Sequence, residues 1–483
     1  MKKTTFVLLM LFIVAVSGMV FVHNKVDALK DQVTIKETIL AGDSSVAEGV
    51  SVTTNTHYEE TPLFWETVYT IGDKDNPKTT MEYNLSKEDM YVWDDEPRLY
   101  WSHDEYIYWD KPGIEENPED FGYPMELFAD IIEATPPGEE KTGYIKYSDV
   151  IPYRTIHVTA SFLEDGKDVD LNGNDNGKYF HIPMTENSDA TVCVEKDEEG
   201  NVQFLSTESW HAYMLDEDVA YSKDLKHLYV ALGDMKIAER DEIGQRLDFR
   251  SVPLEDGICG IHHFDATVRD GGMNMVDVDA VLEHGKLVYP LKNGISIAKL
   301  WVSEDQSQLL LLTLEEENMW FTALNRETFE EEQRMKLFTY DKNVCDGVVV
   351  KEGTDYLAVF FDDGHVVLMT RKNGLWNVGA VDKLYRGGTY NYSFSGEGFD
   401  KNFDAAFDGN RFVLVNRFIN QAGSYFLWVY ENGKCKYAGM YECSLSDAGL
   451  NGSLDGEETD NPVLRYTYDN PIAVSFVKKN SRG

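Results

Sequence analysis

Three groups of side chains have the types and spacing to do chemistry. In Asp168-Val-Asp170-Leu-Asn172-Gly173, oxygen-bearing side chains recur at alternate positions and run into a glycine, the opening of a loop that wraps a hard cation such as Ca2+. Asp168, Asp170 and Asn172 would be the metal ligands, and calcium is the one cofactor the chain is expected to take. Tyr179 stands at the twelfth position, where such a loop needs a bidentate Glu, and the flanks read as a hairpin, so an Asn/Asp/Gly-rich turn is the competing reading. The second group, Gly260-Ile-His262-His263-Phe-Asp265, puts two imidazoles beside a carboxylate, a set that ligates zinc or moves protons. Adjacent residues of a strand point to opposite faces, so these two imidazoles do not share one site, and an exposed loop is the expectation. The third is aromatic: Trp93, Trp101 and Trp109 offer rings that stack on sugars, with Asp94, Asp95, Asp104 and Glu105 interleaved to accept hydroxyl hydrogen bonds. Core packing and loop anchoring compete with ligand binding there. Carboxylate pairs for glycoside hydrolysis exist in quantity among 85 Asp and Glu, but abundance selects no pair. No catalytic residue is assigned, because no GxSxG elbow, phosphate loop, dinucleotide fingerprint or zincin motif occurs.

The elements that position these groups read as strands. Tyr356 to Gly379 carries three apolar runs joined by Asp362-Asp363-Gly364 and Lys372-Asn373-Gly374, the punctuation of an antiparallel meander. The plan recurs after Ala405, with turns at Asp408-Gly409-Asn410 and Glu431-Asn432-Gly433. It appears earlier from Leu300, where Asn325 to Thr328 makes the outer turn, and more faintly from Val219. First strands near residues 219, 300, 348 and 405 give later spacings of about 50 to 60 residues, close to four-stranded blades of ~40–50 residues with loop insertions. Pro471 to Phe476 alternates after an acidic loop and is suited to complete the first sheet as a closing strand. Between Leu85 and Lys146 the pattern loosens into acidic, aromatic-rich sequence with room for one short helix over 125–133.

On this repeat plan the chain resembles the β-propeller superfamily, and within it the membrane-anchored propeller-like proteins of Gram-positive bacteria. The resemblance covers about Ile151 to Val477 and rests on the repeats, since no WD pattern, kelch di-glycine or sialidase Asp-box is present. It implies an all-β fold of four-stranded antiparallel sheets behind an N-terminal transmembrane anchor, with tandem β-sandwiches as the alternative. The chain then divides into a signal anchor or signal peptide at 1–25, a membrane-proximal β and aromatic-rich region at 26–150, and a propeller-like domain at 151–483.

Lys2 and Lys3 precede an uncharged run from Phe6 to Val22, which is the pattern of an export signal; its length sits at the boundary between cleaved peptide and anchor, and the apolar stretch continues past the small Ala15, Ser17 and Gly18, which favours a retained anchor. The body is therefore expected outside the cytoplasm, held to the membrane by this segment alone, with secretion after cleavage as the alternative. A net charge of −41 repels phosphate backbones and excludes nucleic acid as a partner. Five scattered cysteines, Cys193, Cys259, Cys345, Cys435 and Cys443, are too few for a disulfide framework and read as buried, unpaired thiols. The even spacing of Cys435 and Cys443 on one strand would place both on the same face. Function follows as a binding scaffold for a cell-envelope protein or glycan, without catalysis. The alternatives are a sugar-binding or sugar-hydrolysing propeller and an envelope sensor, which needs a membrane partner because only Met1 to Thr5 precede the apolar run.

Overall fold

Apolar runs bounded by Gly, Asn and Asp become strands throughout the computed structural model. It describes Met10, Asn24, Cys345 and residues 12–21, 30–57, 63–83, 98–106, 128–146, 153–164, 167–169, 180–183, 189–209, 213–224, 227–240, 246–252, 259–265, 268–269, 275–276, 286–340, 347–384, 402–418, 423–444 and 472–477. Met10 and residues 12–21 are helical and expose Phe12, Val14, Met19 and Phe21. Among the described residues no helix is long and apolar enough to cross a membrane. Phe6 to Leu9, Leu11 and Val22 of the expected anchor lie outside them.

Strands β1 (Ile35–Gly42), β2 (Val50–His57), β3 (Leu63–Thr70), β4 (Lys78–Tyr83) and β5 (Arg98–Tyr106) precede the short helix α1 (Ala129–Ala134), which overlaps the one expected over 125–133. Next come β6 (Glu140–Lys146), β7 (Tyr153–Glu164), β8 (Lys167–Val169), β9 (Phe180–Pro183), β10 (Asp189–Lys196) and β11 (Val202–Ser209). They are followed by β12 (Tyr213–Tyr221), β13 (His227–Arg240), β14 (Arg246–Val252), β15 (Gly260–Asp265), β16 (Val268–Arg269), β17 (Met275–Val276) and β18 (Lys286–Pro290). Three regular meanders then occur in succession: β19 (Ile295–Val302), β20 (Gln308–Glu315), β21 (Asn318–Asn325) and β22 (Glu331–Thr339); β23 (Val348–Glu352), β24 (Tyr356–Phe361), β25 (His365–Lys372) and β26 (Leu375–Lys383); and β27 (Phe403–Phe407), β28 (Arg411–Arg417), β29 (Tyr425–Glu431) and β30 (Lys434–Cys443). The last strand is β31 (Ile472–Phe476). The four first strands expected near 219, 300, 348 and 405 are β12, β19, β23 and β27. The two earlier ones begin five or six residues sooner than expected.

The chain forms two compact units, one of 1–93 with 346–483 and one of 94–345. In the first unit the described strands make three sheets: β31-β2-β3-β4, β23-β24-β25-β26 and β1-β30-β29-β28-β27. The last of these buries both its faces. Leu414, Phe426, Trp428 and Ala438 share one cluster with Ala358, Phe360 and Leu368 of the β23–β26 sheet. Val413, Val415, Leu427 and Val429 share the other with Val50, Val52 and Val474. A sheet covered on both sides has no solvent face to alternate toward, which is why β24, β28 and β29 are nearly continuous apolar runs. The outer strand β26 shows the reverse, with Trp376 and Ala380 buried and its other residues exposed. Tight turns fix the registers: Asn373 and Gly374 take φ of 53° and 81°, and Asn432 and Gly433 take 51° and 72°, the left-handed pair that the expected two-residue hairpin turns require.

The first and last strands are tied into this unit. β31 pairs antiparallel with β2, Val474 opposite Val52, completing the first sheet as expected of a closing strand. β1 pairs with β30, Glu37 opposite Tyr441, adding a fifth strand to the last one. The segment read from sequence as membrane-proximal thus supplies β1 and β2 to sheets shared with the C-terminal strands.

In the second unit, β19-β20-β21-β22 stacks on β12-β13-β15-β18 through Tyr229, Ala231 and Ile261 against Leu300, Leu309 and Leu311. β14 pairs with the distal half of β13. The other sheets are β5-β7-β8 with β9 on β7, β11-β10-β6, and the β16-β17 pair.

None of the five cysteines is in a disulfide, as expected, but only Cys259 and Cys443 are buried; Cys193 and Cys345 are half-buried and Cys435 is exposed. Cys435 and Cys443 also do not share a face. A bulge lets Tyr430 pair with Cys435 and Val429 with Tyr437, skipping Lys436. One extra residue inverts the alternation, so Cys435 lies on the Tyr430 face and Cys443 on the Tyr425 face.

Candidate functional site

The histidines singled out by sequence lie in a strand and not in an exposed loop. β15 has β13 on one side and β18 on the other, so its backbone groups are spent on two neighbours and its side chains meet the faces of a sheet. His262 and His263 are both half-buried and take opposite faces, as alternation requires. His263 pairs with Tyr229 of β13, on the face that packs toward the β19–β22 sheet.

On that face His263 meets another histidine. His227, the first residue of β13, places Nδ1 3.1 Å from His263 Nε2, and the two ring centroids are 5.2 Å apart. His263 stacks on Tyr229 at 5.1 Å and 22° between planes, and Phe329 lies 5.2 Å from the same imidazole. Phe329 comes from the β21–β22 turn, where it adopts a φ of 59°. Its backbone N–H donates to the Asn325 carbonyl. Below the rings lies the apolar core of Tyr229, Ala231 and Ile261. The backbone of His227 is fixed by a local device: its N–H donates to Ser222 Oγ, and that hydroxyl donates to Asp224 Oδ1. The next sheet repeats the turn, with the Gln308 N–H donating to Ser303 Oγ and Ser303 Oγ to Asp305 Oδ1. Sequence reading missed this repeat and, with it, His227. Its signal was the recurrence of Ser-x-Asp two residues before a second apolar strand, at Ser222-Lys-Asp224 and Ser303-Glu-Asp305.

The buried Asp216 and Asp234 and the half-buried Asp218 and Asp404 have a different role. Asp216 accepts the Ile297 N–H at 3.1 Å and Asp218 accepts the Leu300 N–H at 2.5 Å, both across to the first strand of the next sheet. Lys299 Nζ stands 3.2 Å from Asp218 Oδ2. Asp234 accepts the Gly294 N–H at 2.7 Å. In the other unit Asp404 repeats the arrangement, accepting the Val474 N–H at 2.7 Å. Asp218 and Asp404 occupy the same place, three residues before the end of β12 and of β27. Burial raises the carboxyl of each above the ordinary range, while Lys299 and the strand N–H groups pull Asp218 back and the N–H groups of Val474 and Ala405 pull Asp404 back.

A tyrosine cluster between β1, β29 and β30 completes the polar interior. Tyr437 Oη donates to Glu37 Oε1 at 2.5 Å and lies 2.8 Å from Tyr441 Oη. Tyr425 stacks on Tyr441 at 5.0 Å, and its own buried hydroxyl has no hydrogen-bond partner among the described residues. Burial pushes the phenols of Tyr425, Tyr437 and Tyr441 upward, so all three stay neutral.

Of the other residues singled out, Trp101 lies in β5 opposite Ala160, and Asp168 in β8 opposite Leu163. Trp93, Trp109, Asp170 and Asn172 lie outside the described residues. Among those described, no three His, Cys, Asp or Glu side chains gather to hold a metal ion.

No known protein family and no curated protein matches the sequence. Solved structures similar to the chain include the β-propeller domain of the Trilobed protease from Pyrococcus furiosus, at 13% identity over 58% of this chain and 66% of that one, with a TM-score of 0.22. Citrobacter koseri AztD is 11% identical over 88% and 97% of the two chains, with a TM-score of 0.27. The Dos1 propeller is 11% identical over 55% and 75%, with a TM-score of 0.23. Scores this low carry neither a residue nor a function across.

Proposed function

We propose that the protein is a propeller-like scaffold, held outside the cytoplasm by its N-terminal apolar segment, that binds a cell-envelope protein or glycan without turning it over. One observation carries this reading: among the described residues, the carboxyl groups that burial holds above the ordinary range, Asp218 and Asp404, are each occupied by a peptide N–H of the neighbouring sheet's first strand. A general acid has to reach substrate, and upward-shifted acids are where catalysis would be sought first. Here the shift accompanies a structural tie. In the unit of 1–93 with 346–483, stacked sheets and the pairing of the first and last strands make a stiff frame, which suits partner capture by a preformed surface.

The test uses the full chain in detergent as bait against solubilised envelope proteins and, in parallel, cell-wall and dietary glycans. Saturable retention of one class, with no glycan turnover by the same preparation, supports the scaffold reading. Release of reducing ends from a retained glycan overturns it.

A further inference from the structure

We propose that His227 and His263 form a two-imidazole site for a divalent transition metal, Cu(II) most tightly, at the rim of the interface between the β12–β18 and β19–β22 sheets. The facing nitrogens are 3.1 Å apart. With metal–nitrogen bonds of about 2.0–2.1 Å, that separation subtends about 100° at a shared ion, suited to two neighbouring positions of a tetragonal or tetrahedral shell. Imidazole is a ligand that Cu(II), Ni(II) and Zn(II) all accept, and among divalent first-row ions a given nitrogen site holds Cu(II) most strongly.

The rings are set before any ion arrives. Tyr229 stacks on one face of His263, Phe329 packs against the same ring, and the Ser222 bond fixes the backbone of His227. With the ion absent, one facing nitrogen carries the proton that the other accepts. On binding, that proton leaves the facing nitrogens, for the far nitrogen of its ring or for solvent, so that both facing nitrogens present a lone pair to the ion. Both side chains are half-buried, which leaves water to fill the remaining positions. The surrounding charge of −41 draws cations toward the protein. His262, on the opposite face of β15, takes no part.

The experiment titrates chelator-stripped full chain with aqueous Cu(II), followed by calorimetry and by the nitrogen hyperfine structure of the Cu(II) spectrum. The expected result is one ion carrying two nitrogen couplings, with affinity falling by at least about tenfold in His227→Gln and in His263→Gln and unchanged in His262→Gln. Histidine acylation of the unsubstituted protein with and without Zn(II), mapped by peptide mass, gives an answer that does not depend on a variant folding: protection falls on His227 and His263. Wild-type affinity in His263→Gln, protection mapping to other histidines, or no binding at all overturns the proposal.

Discussion

At the scale of single residues, the fold uses carboxylates as backbone acceptors, and their ionisation is tied to stability. Asp363 is the sharpest case. Its Oδ2 lies 2.5 Å from His365 Nδ1, its Oδ1 accepts the His365 N–H at 3.0 Å, and Lys383 Nζ is 3.8 Å away. Burial works against the charge, but the His365 bonds and the Lys383 charge outweigh it and hold the carboxyl below its ordinary 3.8. A group depressed in the folded state adds stability that is present above the unfolded value and disappears as pH falls through the folded one. Asp363→Asn is therefore expected to lower stability by about 1–2 kcal/mol at pH 7, with the difference from the parent shrinking as pH falls below the ordinary carboxyl value and through the depressed one. Thermal melts of both proteins across that range check it; a gap that persists in acid would contradict the assignment. The Asp363 turn was legible in sequence because Asp-Asp-Gly between two apolar runs is a local signal. The pairing of His227 with His263 was not, since 36 residues and a sheet register separate the two rings.

At the scale of elements, the decisive feature is the tie between first strands of neighbouring sheets. Val474 has its N–H on Asp404, its side chain in the core, and its strand paired to β2. Asp404→Ala leaves that N–H without its acceptor and is expected to cost about 1–3 kcal/mol, whereas Asp404→Asn keeps a carbonyl oxygen in place and costs less. Chemical denaturation of the two variants distinguishes them; equal losses would mean that the bond itself contributes nothing. Removal of everything after Asn470 takes away β31 with the buried Ile472 and Val474, about 3–6 kcal/mol of burial before the entropy regained by the freed chain. The melting temperature should fall, and an unchanged value would mean that β31 does not close the first sheet. The closing strand was readable from its alternation. The ties were not, because an Asp in a strand shows neither its burial nor the N–H that it meets.

At the scale of the whole molecule, charge dominates. A body with 85 acidic and 44 basic residues repels itself, and added salt screens that repulsion over roughly 10 Å at 0.1 M. The melting temperature is expected to rise as NaCl increases from about 10 to about 150 mM, and a fall would mean that ion pairs outweigh the net charge. Among the described residues, the pairs of Lys36 with Glu442 and of Lys223 with Glu304 are exposed on both sides, so screening them costs little.

What the sequence determined by itself was the local part: strands from apolar runs, hairpins from Asn-Gly and Asp-Gly, the repeat of meanders, and the net charge. Each depends on residues a few positions apart or on composition, so each is written in the linear order. The tertiary structure alone decided which side chains meet. The bulge at Lys436 moved Cys435 to the face opposite Cys443, the β13–β15 register brought His227 to His263, and sheet stacking placed Asp218 and Asp404 on the N–H groups of other strands. A shift of one residue in pairing exchanges the two faces of a strand, and pairing between distant segments is settled by the burial of whole sheets, which no short stretch of sequence contains.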